Sequence, residues 1–228
     1  MALGAFLITS FINVTNDLFD LPEDTVNHPD RPLPAGKVGE DRAWVLALVL
    51  LFFALYVSYK HSPWVLAVGS FAMFLGLLYN YYLKALPFIG NLTVSFVVFL
   101  AFLYGSGGYA LHRVIPAGLL GAYLHLLREF VKSLQDMEGD APYRRTVAIV
   151  LGEVTTRRMV FWGLILLPLL SVIPVFFGYS YLYVIAVLLL VGFPALVISP
   201  TVLYGKYGLV SGMLKLLTAT ALVALWLA

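Results

Sequence analysis

The side chains best suited to chemistry follow the first apolar run of the chain. There the stretch TNDLFDLPEDTVNHPDRPLPAGK (15–37) is rich in acids. If the helix continues into this stretch, amide and carboxylate side chains recur every three to four residues and share one face: Asn13, Asn16, Asp17, Asp20 and Asp24. Pro22 lacks a backbone donor and disfavours a helical residue before it, so we expect a kink between Asp20 and Asp24.

A second charged face lies much later in the chain, at the end of another apolar run. In REFVKSLQDMEGD (128–140), four charged residues recur at every fourth position: Arg128, Lys132, Asp136 and Asp140. DLPED (20–24) and DMEGD (136–140) share the pattern Asp-x-x-x-Asp, each at the end of an apolar run. The repeated pattern favours one kind of site built from two acidic segments.

Carboxylate and amide oxygens are hard ligands, and the chain contains no cysteine, so these acids point to Mg²⁺. Magnesium in proteins commonly bridges to substrate phosphates, and a diphosphate needs further cations on its oxygens. The candidate cations are Arg31, Lys84, Lys132 and Arg145. Lys84 has no acid near it in sequence with which to pair. Acids for a metal and bases for phosphate together indicate a diphosphate site.

A structural interpretation of the same residues stays open. Charged residues at the ends of apolar runs are often ordinary interfacial residues, and Asp and Pro together are typical of turns. We prefer this interpretation for four other bases: Arg42, Arg157, Arg158 and Lys206. The four histidines (His28, His61, His112 and His125) share no metal-ligand spacing, and His125 is expected to be a packed or pore-lining residue.

The elements that must position these residues are membrane helices. The sequence is 61% hydrophobic and 11% charged, with a mean hydropathy of +0.94, which is more apolar than a soluble domain of this length. Eight apolar runs approach the length that crosses a bilayer as helix: 1–16, 43–59, 63–83, 91–110, 114–135, 158–177, 181–199 and 208–227. None alternates apolar and polar residues as barrel strands do. We therefore predict an all-α, polytopic membrane helix bundle.

The loops indicate how this bundle is oriented. No long hydrophilic segment separates the spans, so residues 1–228 are predicted to form a single membrane domain. Eleven of the fourteen Lys and Arg residues fall on the side that carries both acidic motifs. The positive-inside rule assigns this side to the cytoplasm. The net charge of +2 gives no argument for nucleic acid as a partner. Met1 lies directly before apolar residues without a basic leader, which suggests that an upstream span is missing.

The motifs taken together resemble the UbiA-type intramembrane prenyltransferases. NDLFDLPED (16–24) matches the family signature N-D-x-x-D-x-x-x-D, and DMEGD (136–140) matches its second D-x-x-x-D. NHPDRPLPAGKV (27–38) is similar to the loop after the first signature. LYNYYLKALPFIGN (78–91) resembles the family's Tyr and Lys element, with Tyr79 and Lys84 five positions apart. The similarity extends over the chain.

This resemblance implies an enzyme that ionises an isoprenoid diphosphate with the help of Mg²⁺. The family has nine helices around a central lipid-accessible cavity, and the eight spans here correspond to its second through ninth, so the first family helix is expected to be missing. The implied metal ligands are Asn16, Asp17, Asp20, Asp24, Asp136 and Asp140. Asp20, Asp136 and Lys84 are the implied catalytic residues, and the implied substrate-binding residues are Arg31, Tyr79, Lys84, Arg128, Lys132 and Arg145.

The acceptor of the prenyl group is open between two kinds of molecule. The stretches 27–38 and 128–140 look most like the archaeal branch that adds a second geranylgeranyl chain to geranylgeranylglyceryl phosphate, for ether lipids. The alternative acceptor is an aromatic quinone precursor. The basic face at Arg128 and Lys132 suits an anionic acceptor, but it equally suits the donor diphosphate.

Two other classes of membrane protein fit the sequence less well than a prenyltransferase. A membrane transporter would carry its charges near the bilayer midplane, whereas these cluster at one interface. A CDP-alcohol phosphotransferase would need sequence motifs that are absent here. We therefore expect a multi-pass protein of the cell membrane that contacts membrane lipids and whose active site faces the cytoplasm.

Overall fold

The computed structural model describes residues 1–140 and 145–227, apart from the side chains of Asn27 and Asp140. All regular elements in these residues are helical. They are α1 (Ala2–Phe19), α2 (Leu21–Asn27), α3 (Glu40–His61), α4 (Pro63–Tyr81), α5 (Ile89–Ser106), α6 (Leu111–Gln135), α7 (Met137–Asp140), α8 (Val147–Leu151), α9 (Glu153–Val172), α10 (Tyr181–Val187), α11 (Phe193–Leu203) and α12 (Tyr207–Trp226).

The predicted membrane spans are confirmed in number and order. Eight helical segments of the described chain are long and apolar enough to cross a membrane. The seventh, Tyr181–Leu203, consists of α10 and α11 joined by a π-helical turn at Leu188–Gly192. The sixth, Glu153–Phe177, begins five residues before the predicted start because Glu153 and the two arginines after it belong to the helix. The chain is a multi-pass membrane protein.

Packing divides the chain into two compact units, each described by itself. The first comprises Met1–Lys84 and Leu100–Tyr109, and the second comprises Ala85–Phe99 and Ala110–Ala228. The expectation that residues 1–228 form one domain stays a prediction.

Small residues let the helices of the first unit approach closely. A Cβ added at Gly76 of α4 would lie 2.7 Å from Ile12 Cγ1 of α1. A Cβ at Gly4 of α1 would lie 1.9 Å from the hydroxyl oxygen of Tyr104, which is buried and 3.0 Å from Ser58 Oγ. Such contacts are typical of membrane helices, which associate through close packing of backbones. They fix α1, and with it the acidic stretch at its end, against α4.

The second unit packs α6 against α9 and α12. Leu124, Leu127 and Val131 of α6 are buried, as are Leu164 of α9 and Leu214 of α12. The Tyr123 hydroxyl donates a 2.9 Å hydrogen bond to the carbonyl oxygen of Gly163 in α9, where the absence of a side chain leaves room for Leu127. The core therefore holds one face of α6 and leaves its other faces for polar residues.

Candidate functional site in the two acidic segments

The first acidic segment begins where α1 ends. Asp20 follows Phe19 with φ −89° and ψ −2°, and its backbone N–H still donates to Asn16 O at 2.8 Å. A new helix, α2, starts at the next residue with Pro22 in its first turn, where a missing N–H costs nothing. Asp24 N–H then donates to Asp20 O at 2.8 Å. The break falls at Asp20, next to the kink that Pro22 predicts.

Asp20 is held between α1 and the end of α4. The Asn16 side-chain amide donates to Asp20 Oδ2 at 3.0 Å, and the Lys84 ammonium forms an ion pair with Asp20 Oδ1. Lys84 comes from the 3₁₀ turn Leu83–Ala85 that follows α4. Both side chains are largely buried, with 16% of Lys84 and 12% of Asp20 exposed. Lys84 has no acid near it in sequence, and its partner is Asp20, 64 residues earlier in the chain.

Asn80 of α4 connects this pair to the rest of α1. Its side-chain amide donates to Ile12 O at 3.1 Å and to Thr15 Oγ1 at 3.0 Å, and its Oδ1 accepts from Asn16 at 3.3 Å. Asn80 is 1% exposed. We did not predict this residue, although a lone Asn within the apolar LYNYY segment was a usable signal. Tyr79, which we did predict, lies beside it and is half-buried.

Asp24 has a different partner from Asp20. Its carboxylate accepts a 2.6 Å hydrogen bond from the Arg31 guanidinium, and Asp24 itself is buried with 6% exposed. Arg31 lies in a loop made of consecutive turns, in which Ala35 N–H donates to Arg31 O at 2.9 Å and Val38 N–H donates to Pro32 O at 3.1 Å. Asp20 and Asp24 are therefore neutralised by two bases from different segments.

A cavity of about 360 Å³ opens beside the Asp24 pair. Asp17, Asp24 and Arg31 supply its charged lining. The rest is apolar and consists of Val14, Pro32, Leu33, Pro34, Val38, Ala43 and Leu46. Asp20 does not line this cavity. Of the acidic residues expected on one face, Asp17 and Asp24 therefore line the cavity, and Asp20 instead contacts Lys84 at the end of α4.

The second acidic segment repeats the same backbone path. Asp136 follows the last residue of α6 with φ −96° and ψ 6°, and its N–H donates to Lys132 O at 3.0 Å. The short helix α7 begins at the next residue and reaches Asp140, whose side chain is outside the described residues. Asp136 and Lys132 are exposed, as is Arg145 just before α8. Within the described residues, the Asp136 carboxylate forms no ion pair.

Deeper in α6 lies a group of charged residues that includes an acid we did not predict. Glu129 is 11% exposed and lies 3.4 Å from an Arg128 nitrogen and 3.7 Å from His125 Nε2. The Nε of Arg128 is buried and has no hydrogen-bond partner among the described residues. Placement of Glu129 within an apolar helix was the signal that could have identified it.

Comparison with known proteins identifies the family of this chain. Residues 1–203 match the model of the UbiA prenyltransferase family. The chain belongs to that family. The resemblance carried by the two Asp-x-x-x-Asp motifs is confirmed, and so is the classification of the chain as a prenyltransferase.

Family members with assigned names are similar over most of the chain. A digeranylgeranylglyceryl phosphate synthase of Saccharolobus solfataricus is 33% identical over 204 residues, covering 87% of this chain and 72% of that protein. The synthase of the same name from Methanoregula boonei is 36% identical over 159 residues, which are 68% of this chain and 57% of that protein. The chain thus spans between about half and three quarters of the length of these two relatives.

Solved structures of UbiA proteins share the fold. One, from work on digeranylgeranylglyceryl phosphate synthase in membranes, aligns with a TM-score of 0.80 at 24% identity, covering 97% of this chain and 81% of that chain. A UbiA homolog from Archaeoglobus fulgidus, described as bound to DMAPP and Mg²⁺, aligns with a TM-score of 0.73 at 16% identity, over 97% of this chain and 86% of that one. The all-α membrane fold is therefore confirmed.

The first acidic segment suits a cation in its donor type. Asn16, Asp20 and Asp24 follow at intervals of four residues. Each offers a side-chain oxygen, the type of ligand that Mg²⁺ prefers. The Lys84 ammonium and the Arg31 guanidinium already lie on the two carboxylates, which shows that this segment accepts positive charge. Among the described residues, no three acidic or histidine side chains converge as a ready-made metal site. A divalent ion bound by Asp20 and Asp24 would share these carboxylates with the two bases or displace them.

Proposed function

We propose that this chain transfers a geranylgeranyl group from geranylgeranyl diphosphate to the free hydroxyl of geranylgeranylglyceryl phosphate. Family membership supports the prenyl transfer, and the names of the similar synthases support the acceptor. One structural observation carries the proposal. Two Asp-x-x-x-Asp segments leave the ends of membrane helices by the same backbone path, and bases adjoin the first of them.

Mg²⁺ is the cofactor in this proposal, as in the Archaeoglobus homolog described with Mg²⁺. One ion would be held by Asn16, Asp17, Asp20 and Asp24, and a second by Asp136 and Asp140. When bound, Mg²⁺ neutralises charge that develops on the departing diphosphate. Asp20 and Asp136 are the ligands on which activity depends most, because each begins its motif at the helix end.

The bases serve the phosphate groups of the two substrates. Lys84 and Arg31 leave Asp20 and Asp24 and bind diphosphate oxygens, so that each charge exchanges one ionic partner for another. Lys132, one turn before Asp136 on α6, also binds diphosphate oxygens. Arg128 and Arg145 recognise the phosphate of the acceptor. The half-buried ring of Tyr79 offers its face to the allylic cation.

The location of the protein is part of the proposal. The chain is placed in the cell membrane with its acidic segments at the cytoplasmic surface, because eleven of its fourteen Lys and Arg residues lie on that side. A geranylgeranyl chain then lies among the apolar helices while the diphosphate stays at the interface. Membrane lipids and the isoprenoid substrates are its partners.

The test is product analysis by mass spectrometry with purified protein, Mg²⁺ and geranylgeranyl diphosphate. Three acceptors are compared: geranylgeranylglyceryl phosphate, the alcohol that lacks its phosphate, and 4-hydroxybenzoate. We expect the phosphate to contribute about 1.5–3 kcal/mol through charge-assisted hydrogen bonds. Equal rates for the alcohol, or faster prenylation of the aromatic acid, would overturn the lipid acceptor while retaining the prenyltransferase.

A further inference from the structure

The polar face of α6 continues from the second acidic segment into the membrane span. His125, Glu129, Lys132 and Asp136 follow one another at intervals of four, three and four residues, so they share one face of the helix. Glu129 precedes Asp136 by two turns, which is about 10 Å along the axis. The proposed function assigns roles to Lys132 and Asp136 and leaves Glu129 and His125 without one.

Glu129 is largely buried, and its carboxylate is held only loosely. Its two neighbours, an Arg128 nitrogen at 3.4 Å and His125 Nε2 at 3.7 Å, lie at and beyond the distance of a good hydrogen bond. No closer contact to this carboxylate occurs within the part of the chain that the structure describes. An acid at this depth is costly to retain in a membrane helix and is by default a functional residue. Glu129 can therefore accept a hydrogen bond from a substrate.

The proposed reaction needs a proton acceptor at about this depth. The acceptor's hydroxyl oxygen forms a bond to the first carbon of the geranylgeranyl group, while the bond from that carbon to the diphosphate breaks. Diphosphate leaves with the electron pair, and the hydroxyl proton must go to a base. A diphosphate bound by Lys132, next to the metal that Asp136 would hold, directs its apolar chain into the span, so the allylic carbon lies on the membrane side of Asp136.

We propose that Glu129 is the general base that takes this hydroxyl proton. The inference rests on the proposed function, because an aromatic ring carbon would not present a hydroxyl to Glu129. It adds a residue outside both Asp-x-x-x-Asp motifs. It also explains why a buried acid, Glu129, lies in the middle of a membrane helix.

The experiment compares two acceptors in the Glu129→Gln variant. One is geranylgeranylglyceryl phosphate, and the other is its analogue with a thiol in place of the reacting hydroxyl. A thiol with a pKa of about 8.5 ionises without a base, whereas an alcohol does not. We expect transfer to the hydroxyl to fall on the order of 10²–10⁴-fold, the usual contribution of general base catalysis. Transfer to the thiol should stay close to wild type.

Two further variants separate chemistry from folding. Glu129→Asp keeps a carboxylate and should regain part of the hydroxyl transfer. Glu153→Gln is the matched control, since Glu153 is an acid of the same unit that accepts a 2.6 Å hydrogen bond from Tyr207 and pairs with Arg157. It should leave the ratio of the two transfers unchanged. Inorganic diphosphate should bind Glu129→Gln as tightly as wild type.

Each remaining outcome has a clear meaning. If Glu129→Gln slows both acceptors equally, or leaves hydroxyl transfer intact, Glu129 is a structural counter-ion and the inference is overturned. If the wild type prenylates only 4-hydroxybenzoate, the proposed acceptor is wrong and the role of Glu129 is overturned with it. The wild-type reaction thus distinguishes failure of the function from failure of the base.

Discussion

The first and second acidic segments leave their helices alike but differ in what surrounds their carboxylates. Asp20 and Asp136 have nearly the same backbone angles, and each N–H donates to the carbonyl four residues earlier. Asp20 is largely buried beside Lys84, whereas Asp136 is exposed. Asp136 also has no ion pair among the residues described. A shared motif therefore does not imply a shared electrostatic state.

This difference in ion pairing predicts that substitutions in the two segments have different effects. At the first segment, Asp20 and Asp24 each already have a base, so a metal and a diphosphate would exchange partners with Lys84 and Arg31 there. At Asp136 no such exchange is needed among the described residues. Substitutions in the first segment should therefore affect both stability and activity, and substitutions in the second should affect activity alone.

The strongest test replaces the first acid of each motif. We expect Asp20→Ala and Asp136→Ala each to reduce turnover to the background of the assay, because each removes a proposed metal ligand. Asp20→Ala should also lower the free energy of unfolding by about 1–3 kcal/mol, since Lys84 loses its partner. Asp136→Ala, at an exposed site, should change it by less than about 0.5 kcal/mol. Turnover and thermal unfolding in detergent measure the two effects, and wild-type activity in EDTA would contradict the metal assignment.

The next test concerns Lys84. Replacing it by alanine should weaken the binding of inorganic diphosphate by about 1.5–3 kcal/mol, the usual range for a hydrogen bond to a charged group. Arg158→Ala is the control, because Arg158 is an exposed base that we assign to the membrane interface. Competition binding with labelled donor measures both variants. Unchanged affinity in Lys84→Ala would limit Lys84 to a structural partner of Asp20.

A third test concerns the connection between α1 and α4. Asn80→Leu leaves Thr15, Asn16 and the Ile12 carbonyl without their buried partner, so we expect a loss of about 1–3 kcal/mol in stability. Turnover should fall as well, because Asn16 and Asp20 lose their orientation. Asn91→Leu, in the first turn of α5, is a control with a partly buried side chain. A variant as stable as wild type would show that helix packing alone holds α1 in place.

The smallest expected effects come from a glycine beside each motif. Gly36, in the loop that presents Arg31, has φ +69°, so Gly36→Ala should destabilise the protein by about 1 kcal/mol. Gly139 lies in the helix α7 with open space around it, so Gly139→Ala should stabilise that helix by about 0.5–1 kcal/mol. Equilibrium unfolding of both variants gives the comparison. A stability of Gly36→Ala equal to or above that of wild type would show that the loop does not depend on its left-handed glycine.

Local patterns in the sequence were sufficient for the spans and for the kink near Asp20. Hydrophobic length determines where membrane helices lie, and Pro22 determines where α1 must break. The pairing of Lys84 with Asp20 and the position of Asn80 depend on how α1 packs against α4, and no local pattern encodes that contact. Glu129 was not predicted because the sequence analysis followed the charged residues at every fourth position from Arg128. Glu129, the next residue after Arg128, lies outside that series.

The π-helical turn at Leu188–Gly192 has a consequence for how this family can tolerate insertions and deletions. A π turn contains one residue more than the α-helical turn it replaces. Loss of one residue there would restore a regular α-helical turn and leave the residues beyond it on the same faces. Ala195, Ile198 and Val202 would stay buried, whereas loss of one residue from the regular helix just before them would rotate them by about 100°. The extra residue of this span is thus stored in a single turn, and a one-residue deletion should be tolerated better there than in the regular helix that follows.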